Sequence, residues 1–151
     1  MIDEMKRQES PKKVAIRLPN WIGDALMVYP LLHALSEAGV DFTCFGKEWV
    51  SQIFSGTEFP CVADSRVENK LWLKNQYQNG GFTHAILCPT SFSGLLPATL
   101  AKLKTTGYHF FCSDRIAFKA GAHRVENYFD LGKSFLEGVG GLKAMNQPLQ
   151  I

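Results

Sequence analysis

The chain has 151 residues, 46% of them hydrophobic and 20% charged, a composition that predicts one soluble globular domain with a sizeable buried core. Sixteen Lys and Arg against fourteen Asp and Glu leave a net charge of +2, too little for a nucleic-acid partner held by counterion release. The first dozen residues are polar, and no stretch approaches the roughly 20 apolar residues of a membrane-spanning helix, so secretion and membrane spanning are excluded, a cytoplasmic location is expected, and only peripheral membrane contact stays open.

In chain order, residues 1–11 predict a flexible start, and 14–18 a β-branched strand broken by Pro19 and Asn20. Residues 25–38 predict one helix, kinked at Pro30 and stopped by Gly39. A second strand is expected at 40–45, a short helix at 47–54, a third strand at 61–63 and a weaker helix at 67–78. A fourth strand at 84–88, a helix at 92–103, a fifth strand at 107–111 and an amphipathic helix at 125–137 complete the series. Tyr128, Leu131 and Phe135 share one face of that last helix. Residues 138–151 predict a linker, with 147–151 the lead into a further strand. Strands alternating with helices predict an α/β fold over residues 12–137, a Rossmann-like parallel sheet with helices on both faces. Cys44, Cys61, Cys88 and Cys112 are too widely spaced for a metal knuckle and read as reduced, mostly buried thiols.

Ligands of open parallel sheets gather at the carboxyl ends of the strands, where loops run into helix N-termini. Three segments fall there. In Pro19-Asn20-Trp21-Ile22-Gly23-Asp24, Gly23 permits a close turn and Asp24 stands at a helix start, either as an N-cap or as a general base toward a sugar hydroxyl. In the segment from Cys88 to Ser93, Ser91 reads as a helix cap, while Thr90 and Ser93 can meet sugar or phosphate oxygens. Arg115, Lys119, His123 and Arg124 form a basic cluster with only Asp114 as a nearby acid, suited to a carboxylate or phosphate or simply solvated. His33, with no second ligand, reads as structural. The single glycine of the first loop falls far short of a dinucleotide fingerprint, and there is no Gly-x-Ser-x-Gly elbow or Walker loop, so no cofactor or metal site is expected.

The run from Val14 to Ala25 followed by Tyr29-Pro30-Leu31-Leu32-His33-Ala34-Leu35 resembles the opening of the lipopolysaccharide heptosyltransferases, glycosyltransferases of family nine that use ADP-heptose. The likeness is strongest to the heptosyltransferase II branch. Residues 87–97 and the late His123-Arg124-Val125-Glu126-Asn127-Tyr128 agree in order and spacing, so the resemblance covers nearly the whole chain. It implies the N-terminal, acceptor-binding domain of a two-domain GT-B glycosyltransferase that transfers heptose with inversion and without a metal to the inner core of lipopolysaccharide.

The family's Gly-Asp aspartate, its catalytic base, falls on Asp24. Asn20, Trp21 and Gly23 match the loop shaping the acceptor side; Thr90, Ser91 and Ser93 match the loop facing the cleft. Inner-core acceptors carry carboxylates and often phosphates, which the cluster containing Arg115, Lys119 and Arg124 can pair with. The sequence is expected to stop where a nucleotide-sugar domain would begin, so ADP-heptose binding and activity are expected only with a second half. A stand-alone sugar- or anion-binding module and an inactive gene remnant are the alternatives. Where the family often has Gly-Ile-Pro-x-Arg, the chain has Lys102-Leu103-Lys104-Thr105-Thr106-Gly107, so a cleft arginine is either absent or replaced by Lys102 or Lys104.

Overall fold

The structure, a computed structural model, describes residues 12–139 apart from 120 and 122. Six strands form one sheet: β1 (Lys13–Arg17), β2 (Asp41–Gly46), β3 (Cys61–Ala63), β4 (His84–Leu87), β5 (Lys104–Gly107) and β6 (Asp114–Arg115), in the order β3-β2-β1-β4-β5-β6. Every pairing is parallel. In register, Arg17 pairs with Phe45 and Leu87, Leu87 with Gly107, and Gly107 with Arg115, so one carboxyl edge runs across the sheet.

Parallel strands covered on both faces must be apolar on both, and β1 shows why its sequence reads as a continuous run. Val14 and Ile16 enter one core and Ala15 the other, all fully buried. The first core is closed by α2 (Tyr29–Glu37), the single turn α3 (Val50–Ile53) and α6 (Arg124–Val139), through Leu31, Leu35, Val50, Leu131 and Phe135. The second is closed by α4 (Lys70–Asn79) and α5 (Phe92–Leu100), through Leu73, Tyr77, Leu95 and Ala98. Tyr128, Leu131 and Phe135 are buried as their helical spacing predicts. Among the described residues, no helix is long and apolar enough to cross a membrane.

Several boundaries differ from expectation, each for a physical reason. The helix expected over 25–38 is two: α1 (Ile22–Leu26) and α2, separated at Met27 and Val28. Pro30 is the second residue of α2, where a missing N–H leaves no bond unmade, so it helps start a helix instead of kinking one. The fifth strand is Lys104–Gly107 and not 107–111; buried Thr105 and Thr106 form it, while Phe110 and Phe111 lie outside the sheet. The helix expected over 92–103 ends at Leu100. β6 is two polar residues long, too short to show any period. The expected strand lead at 147–151 and the expected flexible start at 1–11 lie outside the described residues.

Candidate functional site

At the carboxyl edge, the β1–α1 loop, the β4–α5 loop and the start of α6 enclose a cavity of about 280 Å³. Its rim carries Asn20, Trp21, Asp24, Thr90, Ser91 and Arg124, and its floor Cys88 and Tyr128. Asp24 is the third residue of α1; the N-cap position belongs to Trp21, and no side chain caps the helix. The Asp24 carboxylate instead meets Arg124, with Nε 3.5 Å from Oδ1. The Asp24 side chain keeps 21% of its surface exposed and that of Arg124 51%, so the pair stands at the mouth of the cavity.

The floor is uncharged near neutral pH. Burial pushes the Cys88 thiol up to about 12, against the pull of Arg17, so this cysteine is not a thiolate nucleophile. Burial likewise pushes the Tyr128 phenol up to about 12, with Cys88 and Asp24 adding and Arg124 opposing, which leaves its O–H able to donate. One carboxylate, one guanidinium and the two exposed hydroxyl residues Thr90 and Ser91 thus surround a neutral floor. That set suits a polyhydroxylated ligand carrying an acidic group: the carboxylate can take a hydroxyl proton and the arginine can pair with the acid.

A smaller cavity of about 120 Å³ adjoins the first, sharing Asn20, Pro89 and Ser91 and adding Arg17 and Ser93. Arg17 ends β1 and is 4% exposed. Its Nη1 donates to the Leu18 carbonyl at 2.7 Å and its Nη2 to Asn20 Oδ1 at 2.9 Å. Burial holds its pKa below the ordinary guanidinium range, opposed by Tyr77, Cys88 and Glu68. Ser91 holds the N-cap position of α5 without a cap bond; its Oγ lies 3.1 Å from Ser93 Oγ.

The fold therefore brings Asn20, Trp21, Asp24, Thr90, Ser91 and Arg124 to one cavity and sets Ser93 at the next. Other expectations need correction. Gly23 makes no tight turn: its φ is not in the left-handed region and a Cβ there would meet nothing within 4 Å. Asp114 is not the basic cluster's only acid, since Arg124 pairs with Asp24 and Lys119 Nζ lies 3.3 Å from Asp130. The Lys119 backbone is clamped by buried Asn127, which accepts from its N–H at 2.9 Å and donates to its carbonyl at 3.1 Å. Arg115 is exposed at the carboxyl end of β6, outside both cavities. Lys102 follows α5 and Lys104 opens β5 opposite His84, so both lie at the amino edge and neither replaces a cleft arginine. His33 is a surface residue, stacked on Tyr29 and 3.6 Å from Glu37.

Three features went unread in the sequence. Arg17 is legible by position, as the last residue of β1, although it stands inside a β-branched run that draws attention to its neighbours. Tyr128 was read as core, which it is, while also flooring the cavity. Phe92, His109, Phe110 and Phe111 form a ring cluster beyond β5, with Phe110 66% and Phe111 64% exposed. Residues 107–111 predict a strand, but the observed strand ends at Gly107.

No family model matches the chain, and no curated protein matches it. Among solved structures, that of E. coli ADP-heptose LPS heptosyltransferase II matches with a TM-score of 0.71 and 19% sequence identity, over 92% of this chain and 46% of that one. The chain thus spans about half the length of the protein it resembles. The likeness bears out the expected α/β fold.

Proposed function

We propose that this chain is the acceptor-binding half of an enzyme that transfers heptose from ADP-heptose to the inner core of lipopolysaccharide, with Asp24 as general base. The observation that carries the reading is the Asp24 carboxylate: it does not cap its helix and stands at a cavity mouth beside Thr90 and Ser91. An acceptor hydroxyl in that cavity gives its proton to Asp24 while its oxygen forms a bond to the anomeric carbon of heptose. The anomeric carbon's bond to the ADP phosphate breaks on the opposite face, which inverts the configuration and releases ADP.

Arg124 leaves Asp24 to pair with an acidic group of the acceptor, freeing the carboxylate as the acceptor arrives. Asn20, Trp21 and Ser93 line the acceptor, Gly23 leaves room above the helix start, and Arg115 and Lys119 add outer positive charge. ADP-heptose is held by a nucleotide-sugar half, so this chain alone binds ADP weakly or not at all; micromolar binding by calorimetry would contradict that. Peripheral contact with the cytoplasmic face of the inner membrane belongs to the same reading, supported by the exposed rings of Phe110 and Phe111 beside the carboxyl edge.

The test is to combine the chain with a separately expressed nucleotide-sugar half of heptosyltransferase II and measure heptose transfer. Transfer is expected only from the mixture. Asp24→Asn should keep the fold and lower transfer by roughly 10²–10⁴-fold, the usual loss for a general base. Unchanged transfer in that variant removes Asp24 from the chemistry.

A further inference from the structure

We propose that Arg17, Asn20 and the Ser91–Ser93 hydroxyl pair at the start of α5 form a second site, for one small oxyanion of the phosphoryl or carboxylate class. Arg17 is the reason. A buried guanidinium is ordinarily paired with a carboxylate, because removing an ion from water costs several kcal/mol that a partner must offset. Arg17 is 4% exposed, yet among the described residues no carboxylate lies within 4 Å of it. Glu68, the one acid on the cavity wall, is engaged by Lys47 at 3.2 Å.

Only two of the five guanidinium N–H groups have partners among the described residues, Leu18 O and Asn20 Oδ1, and Arg17 belongs to the wall of the 120 Å³ cavity. The rest of that wall is rich in donors. The Asn20 side chain accepts from Arg17 through Oδ1, leaving its NH₂ free to donate. Among the described residues the Ser91 and Ser93 hydroxyls bond only to each other, and α5, nine residues long, starts there with no side-chain cap bond. A fork, an amide, two hydroxyls and a helix start converge on a space well below the 300 Å³ at which ligand pockets ordinarily begin, so it holds a single group and not a nucleotide.

The inference deepens the proposed function, and rests on it only for the identity of the ligand. Asn20, Pro89 and Ser91 wall both cavities. A sugar whose hydroxyl meets Asp24 can therefore place an anionic substituent against Arg17, which fixes the reacting oxygen by a second point of contact. A purely mechanical role for Arg17, bracing the turn at Leu18 and Asn20, is the alternative that the experiment separates.

The chain, labelled with nitrogen-15, is titrated with inorganic phosphate, with acetate and, as an ionic-strength control, with sodium chloride, following backbone amides. Saturable shifts confined to Asn20 and residues 91–94 are expected, with a dissociation constant on the order of millimolar. Preference for phosphate assigns the phosphoryl class, and preference for acetate the carboxylate class. Arg17→Gln and the exposed double variant Ser91→Ala with Ser93→Ala should each weaken binding by about tenfold or more, the loss expected for a charge-assisted bond. The serine pair carries the test if Arg17→Gln does not fold. Shifts that match chloride, spread over the whole chain, or persist undiminished in the serine variant would overturn the site and leave Arg17 as a brace. Heptose transfer is not read in this experiment, so the anion site and the assignment of Asp24 fail separately.

Discussion

The two edges of the sheet contrast in where their charge is placed. The amino edge has the larger cavity, about 530 Å³ against about 280 Å³ at the Asp24 site. Its formal charges cancel, Lys12 and Lys104 against Asp114 and Glu137, and the Asp114 carboxylate already accepts from the Ser134 hydroxyl. The carboxyl edge is smaller but unbalanced: a buried arginine with no carboxylate partner among the described residues sits beside an Asp–Arg pair at a cavity mouth. Cavity volume and charge imbalance therefore point to opposite ends. In a parallel sheet every strand hands its chain to a loop and a helix start at the carboxyl edge, which is where polar groups can converge without cutting the ladder.

The comparison is broken most directly from the amino side. Phe135 is 4% exposed and meets the His84 ring edge-on at 5.6 Å, at the wall of the large cavity. Phe135→Ala should cost about 3–5 kcal/mol of stability in urea unfolding, the range for a buried aromatic. Under folding conditions it should leave phosphate binding at Arg17 unchanged. A variant of wild-type stability that lost oxyanion binding would mean that the amino edge, and not the carboxyl edge, holds the ligand.

A smaller effect separates the two edges by function. In the chain combined with a nucleotide-sugar half, Arg124→Gln should raise the acceptor KM by roughly 10–100-fold, as for loss of a charged hydrogen bond. Because the Arg124–Asp24 pair is partly exposed, the same change should alter stability by no more than about 1 kcal/mol. Lys104→Gln, at the amino edge, should change neither at neutral pH. Equal effects of the two substitutions on KM would show that general positive charge, and not the position of Arg124, serves the acceptor.

The amino edge has its own signature in pH. Burial, and then the charges of Lys12 and Lys104, hold the His84 pKa below 6.5. The unfolded chain therefore takes up this proton first as pH falls, so stability drops through the region around 6.5 and levels off below the folded-state value. Urea midpoints should follow that course, with a shallower slope in Lys104→Gln. An identical slope in the variant would show that the lysine does not act on the imidazole.

What could be read in advance follows from how each feature is encoded. The sheet was legible because β1 and β4 are covered on both faces and their centres are written as apolar runs, and Gly39 marked the end of α2. β6 and the true start of β5 were not, because Lys104, Thr105, Asp114 and Arg115 are polar and enter the sheet through backbone pairing without an apolar run to mark them. Asp24, Thr90 and Ser91 were legible as residues at strand-to-helix transitions. The pairing of Asp24 with Arg124 was not, since it joins two positions on separate crossovers, and nothing local to either one predicts which acid the arginine meets.

The smallest expected effect again concerns the amino edge, and it arises from three helix ends built alike. At the end of α2 the Gly39 N–H donates to Ser36 and that of Val40 to Leu35; at the end of α4 Gly81 donates to Gln78 and Phe82 to Tyr77. At the end of α5 the same two bonds run from Lys102 to Thr99 and from Leu103 to Ala98. This pattern needs a left-handed residue at its first donor, and the φ values are 76° at Gly39, 72° at Gly81 and 64° at Lys102. Only Lys102 has a Cβ to bring against a carbonyl, at a cost of about 1–2 kcal/mol, while glycine there would give back roughly 0.4–1 kcal/mol through the freedom of the unfolded chain. Lys102→Gly should therefore stabilise the fold by about 0.5–1 kcal/mol, read as a higher urea midpoint at unchanged slope. Phosphate binding at Arg17 and transfer through Asp24 should stay as they are, because strain at the amino edge serves no ligand. If the substitution raised stability and also impaired either activity, the two edges would be coupled through α5, whose start carries Ser91 and Ser93 and whose end carries Lys102.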